Sequence, residues 1–237
     1  MEKDNIQNSF NTTLTDSNLE SLGIDISELA IDNILHDGLL KDIPIVGTII
    51  NLSKFGANIH DRLFLKKLLS FLNKIESIPS DKRKELICTI ESSKKYRMKV
   101  GENLLYIIDT CEDYEISELI GFLFKAFVEE KITYDDFLKS ASVLKKLNMG
   151  DFKWFVKERK NHHFDLDSVG DLISSGLFKL HYEQISVQVE DETDRKTLME
   201  GGEKYRSDVD GGVSVCLSRA GEIILEIFYP GFVKSKK

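Results

Sequence analysis

Between residues 116 and 147 the apolar side chains recur with a helical period, and this constrains the chain more than any other feature. Ile116, Leu119, Ile120, Leu123, Phe124, Phe127 and Val128 fall at i, i+3, i+4, i+7, i+8, i+11 and i+12. At 3.6 residues per turn they share one face, which leaves Glu118, Lys125 and Glu129 for the other side. After a short break at residues 131–133 a second face follows: Tyr134, Phe137, Leu138, Ala141, Leu144 and Leu147. Thr133 is placed to cap that second helix, with Asp136 three residues on in the capping-box position. So short a connection makes the two helices antiparallel neighbours.

The rest of the chain reads as more helices leading up to this pair. Leu65, Leu68, Leu69, Leu72 and Ile75 form one stripe, with Asp61 expected to cap it. Leu86, Ile87 and Ile90 form another after the turn at Pro79-Ser80-Asp81, and Val100, Leu104, Ile107, Ile108 and Cys111 a third. Residues 39–59 are the most apolar stretch. Asp42 is placed to cap a helix there, which puts Pro44 one position beyond its favoured place. That segment is expected as a core helix, with Ile49 and Ile50 against the Leu65/Leu68/Leu72 stripe or the 116–128 face; the sharper alternative is insertion into a membrane. A short helix is expected from Ser27 to Gly38, and residues 1–26, rich in Asn, Thr, Ser and Asp, as a flexible acidic tail.

Past Gly150 the pattern changes. Phe152, Trp154 and Phe155 lead into a polar connection through His162-His163, then a short helix closed by Gly176. Alternation at Ile185, Val187 and Val189 and again at Val213, Val215 and Leu217 reads as two strands of a hairpin, joined by a long polar loop over 190–212. Ser218 is placed to cap a last helix carrying Ile223, Ile224, Ile227 and Phe228, which Pro230-Gly231 stops. The expected fold is therefore mainly α: a helical bundle over 27–148, then a small α+β module with a β-hairpin over 149–237.

Charge is unevenly spread over the 237 residues, whose net charge is −8. Residues 1–38 hold one Lys against eight acids (−7), 39–99 hold thirteen Lys or Arg against six (+7), and 100–150 hold five against ten (−5). The basic block either docks on the acidic ones inside the fold or forms a patch for phosphate or an anionic surface. Lys94, Lys95, Arg97 and Lys99 are its densest cluster. With Arg195, Lys196 and Arg206 they are the candidate nucleic-acid or anion-binding residues.

Few constellations carry chemistry. Cys88, Cys111 and Cys216 are odd in number and far apart among apolar neighbours, as expected of buried, reduced thiols in a cytoplasmic protein. The polar start has no signal or transit pattern, and no uncharged apolar run reaches the roughly 18 residues a spanning helix needs. The segment 124–137 has the cadence of an EF-hand, but its helices are too close together for a calcium loop. Asp109, Glu112, Asp113 and Glu115 read as acids at a helix start rather than a divalent-metal site. His162 and His163 are adjacent, so they do not aim at one ion. No nucleophile elbow, phosphate loop or His-Glu-x-x-His occurs. The reading is of no enzyme, no metal and no cofactor.

One resemblance stands on pattern. Gly176-Leu177 after a helix, the hairpin, and Leu217-Ser218-Arg219-Ala220-Gly221 opening the last helix resemble the back half of a winged-helix domain, over about residues 135–229. That superfamily implies DNA binding by the helix before the wing. Here that helix holds Asp165, Asp167 and Asp171, with Ser168, Ser174 and Ser175 but no Lys or Arg before Lys179, and carboxylates are repelled by phosphates. Protein docking, the other use of the winged helix, fits better. The expectation is a non-enzymatic interaction or regulatory protein with a protein partner and room for self-association, for which phage defence or stress response is one setting. DNA-binding regulation is second, and membrane action through residues 39–59 third.

Overall fold

The computed structural model describes residues 2–17, 19, 40–51, 59–96, 99–158, 164, 166–182, 186–191, 205–210 and 212–229, with the side chains of 2–4, 158, 186–191 and 205–210 left aside. Among them the chain is mainly α-helical with a small antiparallel hairpin near its C-terminus. The helices are α1 (Glu2–Thr15), α2 (Pro44–Asn51), α3 (Ile59–Ile75), α4 (Ser80–Ser92), α5 (Val100–Asp109), α6 (Tyr114–Val128), α7 (Tyr134–Leu144), α8 (Met149–Glu158), α9 (Leu166–Ile173) and α10 (Arg219–Phe228). The strands are β1 (Phe178–Tyr182), β2 (Ser186–Asp191), β3 (Tyr205–Asp210) and β4 (Val213–Leu217). The chain divides into two compact units, residues 1–160 with 219–237, and residues 161–218. This division differs from the boundary expected at 148: α8 and α10 belong with the helical unit.

The helical unit is built on α3 against α6. All seven stripe residues of α6 are buried, as are Leu65, Leu68, Leu69, Leu72 and Ile75 of α3. The helices approach closely because position 121 is glycine. A Cβ there would lie 2.8 Å from Lys74 Cβ and 3.0 Å from the Phe71 carbonyl oxygen. Around Phe124 the rings of Phe71, Phe127 and Phe137 lie 5.6–5.8 Å away at tilted or edge-on angles, the geometry aromatic quadrupoles favour. Polar ties run along the same seam. Ser117 Oγ donates to Lys67 O (2.8 Å), and Lys74 Nζ pairs with Glu118 (2.9 Å). Thr133 caps α7 as expected, its hydroxyl accepting from Asp136 N–H (3.1 Å). Asn148 and Asp151 satisfy each other reciprocally at the start of α8, both bonds at 2.8 Å.

Residues 2–15, expected as part of a mobile tail, form α1. Their apolar groups are few but spaced to share a face: Phe10 and Leu14 are fully buried, and the Phe10 ring lies 6.3 Å from that of Phe71, tilted by 53°. Thr13, buried between them, accepts from Ile45 N–H (3.0 Å) and so ties α1 to α2. The α2 segment is a core helix, with Ile45, Val46 and Ile49 buried, but it packs against α1, a helix the sequence reading left out. It starts at Pro44, which therefore occupies the favoured first position after all, where its missing N–H costs nothing. Ile59 opens α3, so Asp61 lies in the first turn rather than at the cap. The expected helix from Ser27 to Gly38 lies outside the described residues, as do Phe55, Gly56, Ala57 and Pro230-Gly231.

Arg83 of α4 is fully buried. Its Nη1 donates to Ile75 O (3.0 Å) and its Nη2 to Asp16 O (2.5 Å), which brings one cation to the carbonyl ends of both α3 and α1. A guanidinium at two helix C-termini meets the negative ends of both dipoles.

In residues 161–218 a small core forms from Val169, Leu172, Leu177 and Phe178, with α9 against β1. Gly176, at φ 93°, makes the turn between them in the left-handed region that glycine adopts without strain. β1 pairs with β4 from Phe178↔Leu217 to Tyr182↔Val213, and β2 with β3 from Ser186↔Asp210 to Asp191↔Tyr205. Between the two ladders the register shifts by one residue, because three residues separate β1 from β2 and two separate β3 from β4. The loop expected over 190–212 therefore contains a strand, β3, and β4 returns against β1.

Candidate functional site

Of the basic candidates, Lys94, Lys95, Lys99 and Arg206 lie among the described residues. Lys94 and Lys95 sit on the turn after α4, and Lys99 immediately precedes α5; all three are exposed. Lys95 is engaged: its ammonium donates to Asp135 Oδ2, and Tyr96 Oη donates to Asp135 Oδ1 (2.8 Å). The bond to Asp135 raises the Lys95 pKa, and the bond from Lys95, helped by Tyr96, holds the Asp135 carboxyl below its usual range. Arg97, Arg195 and Lys196 lie outside the described residues. Arg206 lies in β3, opposite Glu190 in the register and in the other compact unit.

Several lysines of the basic block dock on acidic or carbonyl groups of the next block. Lys67 Nζ donates to Asp109 O (3.1 Å) and Cys111 O (2.5 Å) at the end of α5. Lys74 pairs with Glu118, and Lys66 Nζ lies 3.7 Å from the ring centre of Tyr114. The acids between α5 and α6 do what helix starts require: Asp113 Oδ1 accepts from Ile116 N–H (2.8 Å) and caps α6. Asp109 lies 3.8 Å from His60 Nε2, and Glu115 is 4.0 Å from Lys153. Among the described residues no three His, Cys, Asp or Glu side chains gather as a metal site. His162, His163 and Asp165 lie outside them, while Asp167 and Asp171 are exposed on α9.

The cysteines differ from the expectation of three buried thiols. Cys111 is buried, Cys216 is intermediate and Cys88 is exposed on α4. Burial pushes the Cys111 thiol up to about 12, against a smaller opposing pull from Lys67, so it is protonated and inert at neutral pH.

The concave feature that the sequence reading missed lies between the C-terminal half of α6, the turn into α7, and α10. It encloses about 410 Å³ and is lined by Phe122, Lys125, Ala126, Glu129, Lys131, Ile132, Glu226 and Ile227. Aliphatic groups and one aromatic ring contribute its nonpolar lining, and two lysines and two glutamates its charged part. Phe122 is 38% exposed. Its ring is held edge-on by Phe228 at 6.1 Å, which is itself edge-on to Phe152 at 5.2 Å, with Lys74 Nζ 5.3 Å from the Phe122 ring centre. Two of the cations are fixed: Lys125 Nζ donates to Ser77 Oγ (2.8 Å), and Lys131 pairs with Glu129 (2.6 Å).

Both walls have local causes. α6 ends in a Schellman turn, with Glu130 N–H donating to Phe127 O and Lys131 N–H to Ala126 O, each at 2.9 Å. Glu130 takes the left-handed position that glycine usually holds, at φ 59°. α10 is held by Ile223, Ile224 and Leu225, all buried, and by Arg219 Nη2, 3.4 Å from Asp136 Oδ2. Burial works to raise the Asp136 carboxyl, but its bonds with Arg219 and Thr133 hold it below the ordinary range. The signal for the groove was present in the sequence: Phe122 falls at i+4 from Glu118 and at i−3 from Lys125, an aromatic ring on the polar side of α6.

No family model, curated protein or solved structure matches the chain.

Proposed function

We propose that this chain is a non-enzymatic interaction or regulatory protein of the cytoplasm that docks a protein partner in the α6–α10 groove. The observation that carries the reading is Phe122. An aromatic ring on an otherwise polar helix face lines a slot of about 410 Å³, bordered by charged side chains of both signs. Buried apolar anchors with a polar rim are how protein interfaces concentrate their binding energy. The free thiols of Cys88, Cys111 and Cys216 fit a reducing compartment, and among the described residues no helix is long and apolar enough to cross a membrane.

The C-terminal part is proposed as a winged-helix-like docking module. Its support is that the two motifs carrying the resemblance meet: Ser218 N–H donates to Leu177 O (2.9 Å), and Ser218 Oγ donates to Gly176 O (2.6 Å). The DNA-binding reading is weakened by the Lys95–Asp135 pair, which removes one cation from the 94–99 cluster. The membrane reading is weakened by the burial of Ile45, Val46 and Ile49.

The test is purification of the wild type and of Phe122→Glu from the native cell, with the melting temperatures of both recorded. A partner held by the wild type and lost from a variant that still folds supports the groove; equal retention by both overturns it. Salt-sensitive binding to duplex DNA that is lost in a Lys94→Ala/Lys99→Ala variant moves the conclusion to a nucleic-acid regulator. Co-sedimentation of the intact protein with anionic vesicles moves it to a membrane effector.

A further inference from the structure

We draw no further inference here: the strongest candidate, the apolar lining of the groove between α6 and α10, is the docking surface already proposed, and nothing in the structure shows what covers it.

Discussion

The α3–α6 seam and the ribbon of β1–β4 are held by opposite means. Along the seam each helix satisfies its own backbone, so tertiary contacts are left to side chains: a cluster of phenylalanines, a glycine that lets the axes approach, and polar ties to either side. In the ribbon, backbone bonds between strands are the contact itself, and each ladder has only two strands. Two strands alone are marginal in water, so the ribbon depends on the small core at its base, where α9, Leu177 and Phe178 meet. Stability should therefore concentrate in the seam and fall toward the outer ladder.

The comparison breaks most sharply at Phe124. Replacing it with Ala removes a fully buried ring from contact with three others and is expected to cost about 3–5 kcal/mol. Urea denaturation followed by far-ultraviolet circular dichroism measures this; a loss below 1 kcal/mol means that the seam does not carry the fold.

Two glycines, one in each unit, sharpen the contrast. Gly121→Ala places a methyl against the Phe71 carbonyl and Lys74 Cβ, and is expected to destabilise by about 1–3 kcal/mol despite alanine's better helix propensity. Gly170→Ala, at an exposed position of α9 with nothing within 4 Å, is expected to stabilise by about 0.5–1 kcal/mol. Denaturation midpoints decide the first, and hydrogen exchange of the α9 and β1 amides the second. Equal signs at the two sites contradict the packing described.

Glu130→Gly relieves a non-glycine residue of the left-handed region at the end of α6. A gain of about 1 kcal/mol is expected by thermal denaturation, since the Schellman bonds are backbone bonds and survive the change.

The smallest effect is the pH dependence of the Lys95–Asp135–Tyr96 contact. Asp135 has a lowered pKa in the folded chain, so its contribution is present above the ordinary carboxylate range and is lost as pH falls through the lowered value. Lys95 has a raised pKa, so its contribution is complete below the ordinary lysine value and is lost only as pH rises through the raised one. The stability difference between wild type and Asp135→Asn should thus be present at pH 7 and shrink on acidification. A difference that does not change with pH assigns the effect to packing instead.

The elements that were legible from sequence share a cause: they are encoded by neighbours a few residues apart. The stripe from Ile116 to Val128, the Thr133 cap and the stop at Gly176 depend on helical period, hydroxyl placement and a φ that glycine supplies, and the fold keeps all three. The features that escaped depend on residues distant in the chain. Phe10 and Leu14 look sparse until Phe71 and α2 complete the face they need. β3 shows no clean alternation of its own and is a strand because β2 lies beside it. Arg83 is one cation of the 39–99 block in the sequence, yet its guanidinium reaches the carbonyl ends of α1 and α3. Lys95 belongs on paper to a basic patch, and a carboxylate forty residues on takes it out. Phe122, one ring among polar neighbours, comes to line a groove only where α10 returns beside α6. Local periodicity marked the helices of the α3–α6 seam and α7; burial and charge pairing across the chain decided what each face would meet.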